Sequence, residues 1–422
     1  MQSVLSFSLA IYFLFYVFEG VIRYAFHMAG ADGLIFARDL ALIAPLTVLF
    51  FQQFLRREVH PAYIIFALVI ALHGLVMVLN LGSAMAVVYS AKMLMTLLAG
   101  AILADRLFKP SRAMLTLILA LWAISWVGIF LDKYFITFPW TGMETTIGDI
   151  KVELSRDWQI GGASKRAAGF MRSSIFAATV MPLMAFMLMF HLRRRLVRWP
   201  IALLTAPALF WTTQKGPLIA YVLALGIVML FPKKPIPLLR LGVLGMLLLC
   251  ICLPVFLSGA VMPSGDGDVF SLSSFYQRIE QMWPQAWLWI HAHEAFPFGV
   301  GLGGISGAQR LYALNDMNAA DNMFILMYAF FGVMSFVYLG FIGLVAIRIP
   351  GNASRSAAQA MATLMFLIGY GCVISLLEDQ MATLFLGGAV AWLSTEIKSL
   401  RDNKGHKTTP PTLSPRSELV VV

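Results

Sequence analysis

AADNMFILMYAFFGVMSFVYLGFIGLVAIR, residues 319–348, decides how the rest of the chain is read. Between Asn322 and Ile347 it contains no Asp, Glu, Lys or Arg. An apolar run of this kind exceeds the roughly 20 residues a helix needs to cross about 30 Å of hydrocarbon. An acid and an amide, Asp321 and Asn322, stand at its start. Either side chain can accept a bond from the free N–H groups of a helix N-terminus, so a cap is one reading and chemistry at the membrane surface is the other.

The same pattern recurs along the chain. Of 422 residues, 60% are hydrophobic and 12% charged, with a mean hydropathy of +0.81, whereas a soluble domain is about a quarter charged. The expected fold is an all-α polytopic membrane protein of about 12 transmembrane helices. Short alternating segments, the mark of a porin-like barrel, are lacking. The net charge of +10 is explained by basic residues collecting in cytoplasmic loops, which leaves no case for nucleic acid. Cys250, Cys252 and Cys372 all fall inside apolar runs, a distribution that suits neither a disulfide framework nor a metal site. The N-terminus reads as a retained span, since no basic region or small-residue cleavage site precedes it.

Spans are expected near 3–22, 34–55, 62–80, 84–104, 113–131, 170–190, 199–213, 216–231, 238–258, 322–347, 357–376 and 380–397. The even connections carry Arg56–Arg57, Arg106/Lys109/Arg112, Arg193–Arg195 with Arg198, Lys233–Lys234 with Arg240, and Arg348/Arg355. Even connections and both termini are therefore expected on the cytoplasmic side. Residues 1–397 form one integral membrane domain on this reading, and 398–422 a disordered cytoplasmic tail. Facing outward are two long segments, 132–169 and 259–321, the second lying between spans 9 and 10, and the short connection Thr213-Gln214-Lys215-Gly216.

Chemistry concentrates in these outward parts. Lys165, Arg166 and Arg172 cluster where span six begins. They suit an anionic ligand, since arginine grips phosphate in a bidentate fork, or lipid headgroups. Lys215 either contacts an anion or snorkels to lipid phosphate. In SLSSFYQRIEQMWPQAWLWIHAHEAFPFGVGLGG, residues 271–304, Ser273 or Ser274 can cap a helix. Phe275, Ile279, Met282, Trp283, Ala286, Trp287 and Ile290 then recur at helical spacing. This stripe suits a helix lying on the outer membrane surface, bent at Pro284. Arg278 beside it points into a cavity or decorates a rim. GVGLGG lacks the βαβ context of a dinucleotide turn, and His291-Ala292-His293-Glu294 lacks the i, i+4 spacing of helix-borne metal ligands. Asp149, Glu153 and Asp157 are too loosely spaced for a metal cluster, and GDGD at 265–268 reads as a flexible loop. Within spans, Glu19, Arg38, Asp39 and Lys92 are costly residues that either pair with one another or line a cavity.

Four outward elements now follow one another in order. They are Arg166-x-x-Gly169, Lys215-Gly216, Arg278 ahead of PFGVGLGG, and Asp321-Asn322 with Gly332 after nine further residues. Together they resemble the O-antigen ligase and polymerase superfamily of bacterial envelope glycosyltransferases. That pattern has Arg-x-x-Gly, Ser-Arg-Gly, a long periplasmic loop with Pro-x-x-Gly-x-Gly, then His-Asn, nine residues and Gly. The resemblance spans about 160–345, while the first half matches in hydropathy alone. It departs at Asp321, where the family has His, at Lys215, where it has Arg, and at Ser335 in the last motif position.

The resemblance implies a metal-independent enzyme without cofactors in the bacterial inner membrane. It would polymerise polyprenyl-diphosphate-linked oligosaccharide repeat units into exopolysaccharide or O-antigen, with inversion at the anomeric carbon. The alternative within the family is an O-antigen ligase that moves polymer to lipid A–core. A lipid-linked sugar transporter or flippase is the alternative of another class. The implied partners are the lipid-linked oligosaccharide, the growing glycan or lipid A–core acceptor, membrane lipid, a flippase and a chain-length regulator. Asp321 would be the base, unless it only caps the helix. Arg166, Lys215 and Arg278 would contact diphosphate or glycan, and Asn322, Lys165, Arg172 and Lys92 would bind substrate.

Overall fold

The computed structural model describes residues 2–147, 150–153, 165–192, 194–261 and 272–406. Of the residues and segments discussed above, Asp149, Asp157, Arg193, the 265–268 segment and the expected tail from 407 onward lie outside them. The described chain is helical apart from one hairpin. The helices are α1 (Gln2–Val17), α2 (Glu19–Met28), α3 (Ala37–Leu55), α4 (Pro61–Leu81), α5 (Ala84–Ile102), α6 (Ala104–Phe108), α7 (Arg112–Tyr134), α8 (Ser174–His191), α9 (Arg195–Trp211) and α10 (Lys215–Leu230). They continue with α11 (Pro235–Phe256), α12 (Ser273–Gln277), α13 (Trp283–His293), α14 (Met323–Phe331), α15 (Met334–Arg348), α16 (Arg355–Gly371) and α17 (Gln380–His406). The hairpin, between α7 and α8, pairs β1 (Glu144–Ile147) antiparallel to β2 (Ile150–Glu153).

Among the described residues six helices, α3, α4, α5, α7, α8 and α11, are long and apolar enough to cross a membrane, and α1 with α2, bent by 78°, makes a seventh if the pair is one span. This is a helical membrane protein. The apolar window of α8 is 83% buried, against 22% for α3 and α4, so α8 runs through the centre while α3 and α4 turn their apolar surface outward. The tightest crossing joins α5 to α17. A Cβ on Gly100 would stand 1.8 Å from the Leu384 carbonyl, and one on Gly387 2.0 Å from that of Leu97. Small residues that let backbones touch are the usual means of helix association in lipid.

Three expected elements take a different form. The 3–22 run breaks at Phe18. The bend brings Glu19 and Arg23 of α2 into a buried ion-pair network with Arg38 and Asp39 at the start of α3. The tail does not begin at 398, because α17 continues to His406. The 322–347 run is also discontinuous. It divides at Gly332 and Val333 into α14 and α15.

The second break frees peptide groups, and the GVGLGG motif takes them up. The N–H groups of Val300 and Gly301 donate to the Ala329 carbonyl at 2.8 and 3.2 Å, and Val333 N–H donates to the Pro297 carbonyl at 2.9 Å. On the other side Leu302 N–H donates to the His73 carbonyl of α4 at 2.9 Å. Residues 297–304 thus form a backbone wedge between α4 and the break in the run. Buried backbone that is not helical needs partners of this kind from neighbouring segments. The glycines follow from the close approach. A Cβ on Gly301 would lie 2.4 Å from the Met77 nitrogen, and one on Gly332 2.1 Å from the Pro297 oxygen, both at positive φ.

Gly340, about two turns further along the same run, has open space where a Cβ would go. Gly332→Ala is therefore expected to cost about 1–3 kcal/mol from overpacking alone, while Gly340→Ala is neutral or slightly stabilising. Thermal unfolding of the two variants in detergent measures the difference; equal melting temperatures would refute the wedge.

Candidate functional site

The connections that carry Arg166, Lys215, Arg278 and Asp321 meet at one end of the bundle. Its first part is the Arg166-x-x-Gly169 loop. Asp132, at the end of α7 and 4% exposed, accepts the N–H groups of Ala168 and Gly169 at 2.7 and 3.0 Å. Its second oxygen pairs with Lys165 at 2.8 Å. Gly169 has φ +63°, and a Cβ there would sit 2.8 Å from the Ile129 nitrogen, so α7 forms the floor on which the loop rests. Ala167 N–H donates to the Trp211 carbonyl at the end of α9. That bond ties the Arg166 loop to the turn that carries Lys215.

The second part is that turn. Lys215 opens α10, and Gln214 precedes it with its side chain bonded to the Ser174 hydroxyl at 3.3 Å. The neighbouring glycine lets the turn press against α16, since a Cβ on Gly216 would stand 2.4 Å from Val373.

Arg278 supplies the third. It begins a π-helical turn, Arg278–Met282, between α12 and α13. One extra residue per turn re-aims side chains, and such turns are frequent at functional sites. The carbonyl of Ile279, within this turn, accepts Gly259 N–H at 2.8 Å. Arg278 donates to the Ser274 carbonyl at 2.8 Å and to Asp321 at 2.9 Å. The side chains of this ion pair are 20% and 26% exposed, so Arg278 is half-buried and not a rim decoration.

Asp321 is not a helix cap. Asn322 is. Its Oδ1 accepts the N–H groups of Phe324 and Ile325 at 2.8 and 3.1 Å, and its Nδ2 donates to the carbonyls of Cys250 and Cys372. Being fully buried with its polar atoms engaged in this way, Asn322 is structural in this conformation. Asp321 stands one residue outside the helix at φ +45°, after Ala320 at φ +56°. Two successive non-glycine residues in the left-handed region cost of order 1–3 kcal/mol each. Neighbouring bonds impose them. The Ala319 carbonyl accepts the hydroxyls of Ser375 and Ser306 at 2.7 and 3.2 Å, and Ala320 N–H donates to Asn318 at 2.8 Å. Asn318 in turn donates to the Met282 carbonyl. The strained loop is thereby tied to the same π-helical turn that presents Arg278.

Arg166 lies within electrostatic range of both Arg278 and Lys215. Burial, followed by the charge of Arg278, pulls the Arg166 guanidinium below its ordinary value. Tyr370 at the end of α16 is buried and lies in the field of Asp321, Arg278 and Asp379. Positive groups drawn together at a shielded surface favour an anion that would relieve their repulsion.

The other sequence-predicted residues are engaged elsewhere. Lys165 is held by Asp132 and by the Ile136 carbonyl. Arg172 lies in the field of Glu19. Lys92 pairs with Asp39 at 2.6 Å inside the buried network, where Arg38 also bonds Glu19 and Gln380. The costly residues in the spans therefore pair with one another. The Trp-rich helix also differs from expectation. Ile279, Trp283, Ala286 and Ile290 are fully buried against the bundle, so this apolar stripe packs on protein instead of floating on lipid. The helix starts after Leu272 with no side-chain cap. His291 pairs with Glu294, and His293 stacks on Trp289 at 3.9 Å.

Two organising residues escaped the sequence reading. One is Asp132. The other is Glu378, whose carboxylate accepts the Ser306 hydroxyl at 2.9 Å and Gly307 N–H at 2.7 Å. Both acids sit next to expected span ends, the only sequence cue available. No protein-family model, curated protein or solved structure matches this chain.

Asp132→Ala is expected to release the Arg166 loop. Leaving the Ala168 and Gly169 N–H groups without their acceptor would cost about 2–3 kcal/mol, whereas Asp132→Asn keeps an acceptor for the N–H groups. Hydrogen exchange of residues 166–170 should rise strongly in the alanine variant and weakly in the asparagine variant. Unchanged protection in both would remove Asp132 from this role.

Proposed function

We propose that this chain is a membrane glycosyltransferase of the O-antigen ligase and polymerase kind, acting on a glycan carried by a polyprenyl diphosphate. One observation carries the reading: Arg166, Lys215 and Arg278, from three separate connections, converge at one end of the bundle beside Asp321. The proposed setting is the bacterial inner membrane, with about 12 spans, cytoplasmic termini and 259–321 as the large periplasmic loop. Several of these spans are shorter or broken helices. The preferred activity is polymerisation of repeat units, and a ligase using the same donor is the second reading.

The chemistry follows from charge. An acceptor hydroxyl attacks the anomeric carbon as the bond from that carbon to the diphosphate oxygen breaks, and the lipid diphosphate leaves with the electron pair. Cations aimed at the departing oxygens stabilise the charge that develops there. Without donor, Arg278 holds Asp321. A diphosphate that competes for the arginine fork weakens this ion pair and leaves the carboxylate able to accept the hydroxyl proton. Strain at Ala320 and Asp321 fixes where that carboxylate sits, so the loop positions the acceptor and the base together. Lys215 keeps the charge of the family's arginine but not its bidentate geometry.

Discontinuous helices are also used by transporters, where the break lines a substrate site at mid-membrane. Here the break at Gly332 is filled by the chain's own wedge, 297–304, which argues against a transported ligand at that point.

The test is reconstitution into vesicles with a polyprenyl-diphosphate-linked oligosaccharide, reading polyprenyl diphosphate release and glycan length. Wild type is expected to release the carrier and lengthen the glycan on it. Arg278→Ala and Asp321→Asn should each slow release by about 100-fold or more, and Arg166→Lys by less. Release with transfer only to lipid A–core would select the ligase reading. Movement of intact labelled donor across the bilayer without release would overturn the enzyme.

A further inference from the structure

At the end of the bundle opposite the Arg278–Asp321 pair, a cavity of about 700 Å³ opens between the ends of α8, α9, α10, α11 and α16. Its volume is that of a small-molecule site. Three cations line it: Arg198 in the first turn of α9, Lys233 between α10 and α11, and Arg355 at the start of α16. Its apolar lining includes Phe190, Val228 and Ile236. Arg198 and Arg355 are close enough to repel each other. Both are anchored on the C-terminal end of α8. Arg198 bonds the Leu192 carbonyl, and Arg355 donates to the Met189 carbonyl at 3.1 Å. Among the described residues that is the one hydrogen bond of Arg355, and neither Arg355 nor Lys233 has a carboxylate partner. The nearby carboxylate of Glu396 is bound to Ser354 N–H at the start of α16.

Capping of α8 explains one bond of each arginine. It does not explain why Lys233, from the α10–α11 turn, shares the cavity, nor why the cations border an apolar lining. A cationic rim over apolar walls at the end of a transmembrane bundle matches a phosphate diester with acyl chains attached. Basic pockets between helices bind anionic headgroups in this manner. We propose that this cavity binds a phosphate group, that of an anionic phospholipid whose acyl chain lies along Phe190, Val228 and Ile236. The site lies on the opposite face from the proposed reaction and does not depend on it.

The experiment compares wild type with the Arg198→Gln/Lys233→Gln/Arg355→Gln variant and with Lys233→Gln alone, all purified in detergent. Each is titrated with phosphatidylglycerol, phosphatidylcholine or inorganic phosphate, and thermal unfolding is followed. Phosphatidylglycerol should raise the melting temperature of wild type more than phosphatidylcholine does. Lys233→Gln, at an exposed position, should weaken that effect about fivefold, the factor for about 1 kcal/mol per cation near a charged headgroup. The triple variant should lose it. A shift reproduced by inorganic phosphate, and lost in the variants, would uphold the phosphate site but assign a free anion to it. Equal responses to both lipids with no response to phosphate, or a Lys233→Gln variant that responds like wild type, would overturn the proposal even if the triple variant failed to fold.

Discussion

A buried peptide group must find its partner within the protein, and the break between α14 and α15 frees several. Much of this end of the bundle depends on how these groups are satisfied. The wedge at 297–304 bonds to Ala329 and Val333 on one side and to His73 on the other. It therefore pins the long outer connection into the bundle at its middle. With that point held, α13 can lay Trp283, Ala286 and Ile290 on the core. The segment that follows is brought back over the end of α16, where Ser375 and Ser306 grip Ala319. The position of Asp321 thus follows from a backbone wedge that it never touches.

Charge at this end is arranged in two different ways. The Glu19, Arg23, Arg38, Asp39 and Lys92 network is acid matched to base in a buried setting. Burying charge requires such pairing, and removing one partner from it is strongly destabilising. The Arg166, Lys215 and Arg278 group instead gathers like charges. Such an arrangement opposes folding and persists because surrounding bonds force it. Asp132 holds the Arg166 loop, the turn at Gln214 places Lys215, and a π-helical turn places Arg278. Repulsion of this kind would be relieved by a bound anion. The Lys165 and Lys92 ammonium groups are each paired with a carboxylate, as Arg278 is with Asp321.

Much was legible along the chain. The apolar runs marked the helices, and the order Arg166, Lys215, Arg278, Asp321 marked the residues that the fold gathers. Glycine spacing in 297–304 signalled a close backbone approach without saying to what. Other features could not be read. Asp321 and Asn322 have similar capping ability, and which of them becomes the cap depends on a loop strained by bonds from residues 306, 318 and 375. The stripe from Phe275 to Ile290 has the period of an amphipathic helix whether lipid or protein covers it.

By itself the sequence determined the class: hydropathy and length permit only a helical membrane protein, because each apolar run must satisfy its own peptide groups in lipid. It also marked the few charged residues inside apolar runs, Glu19, Arg38, Asp39 and Lys92, as ones that need partners or a cavity. Only the tertiary structure decided where the long runs break, which carboxylate meets which cation, and that three connections distant in sequence share one electropositive end. The physical reason is that local pattern governs whether a segment enters the bilayer, whereas the partners of a charge or of a freed carbonyl come from other helices. Those partners are set by packing, down to whether a glycine lets two backbones meet.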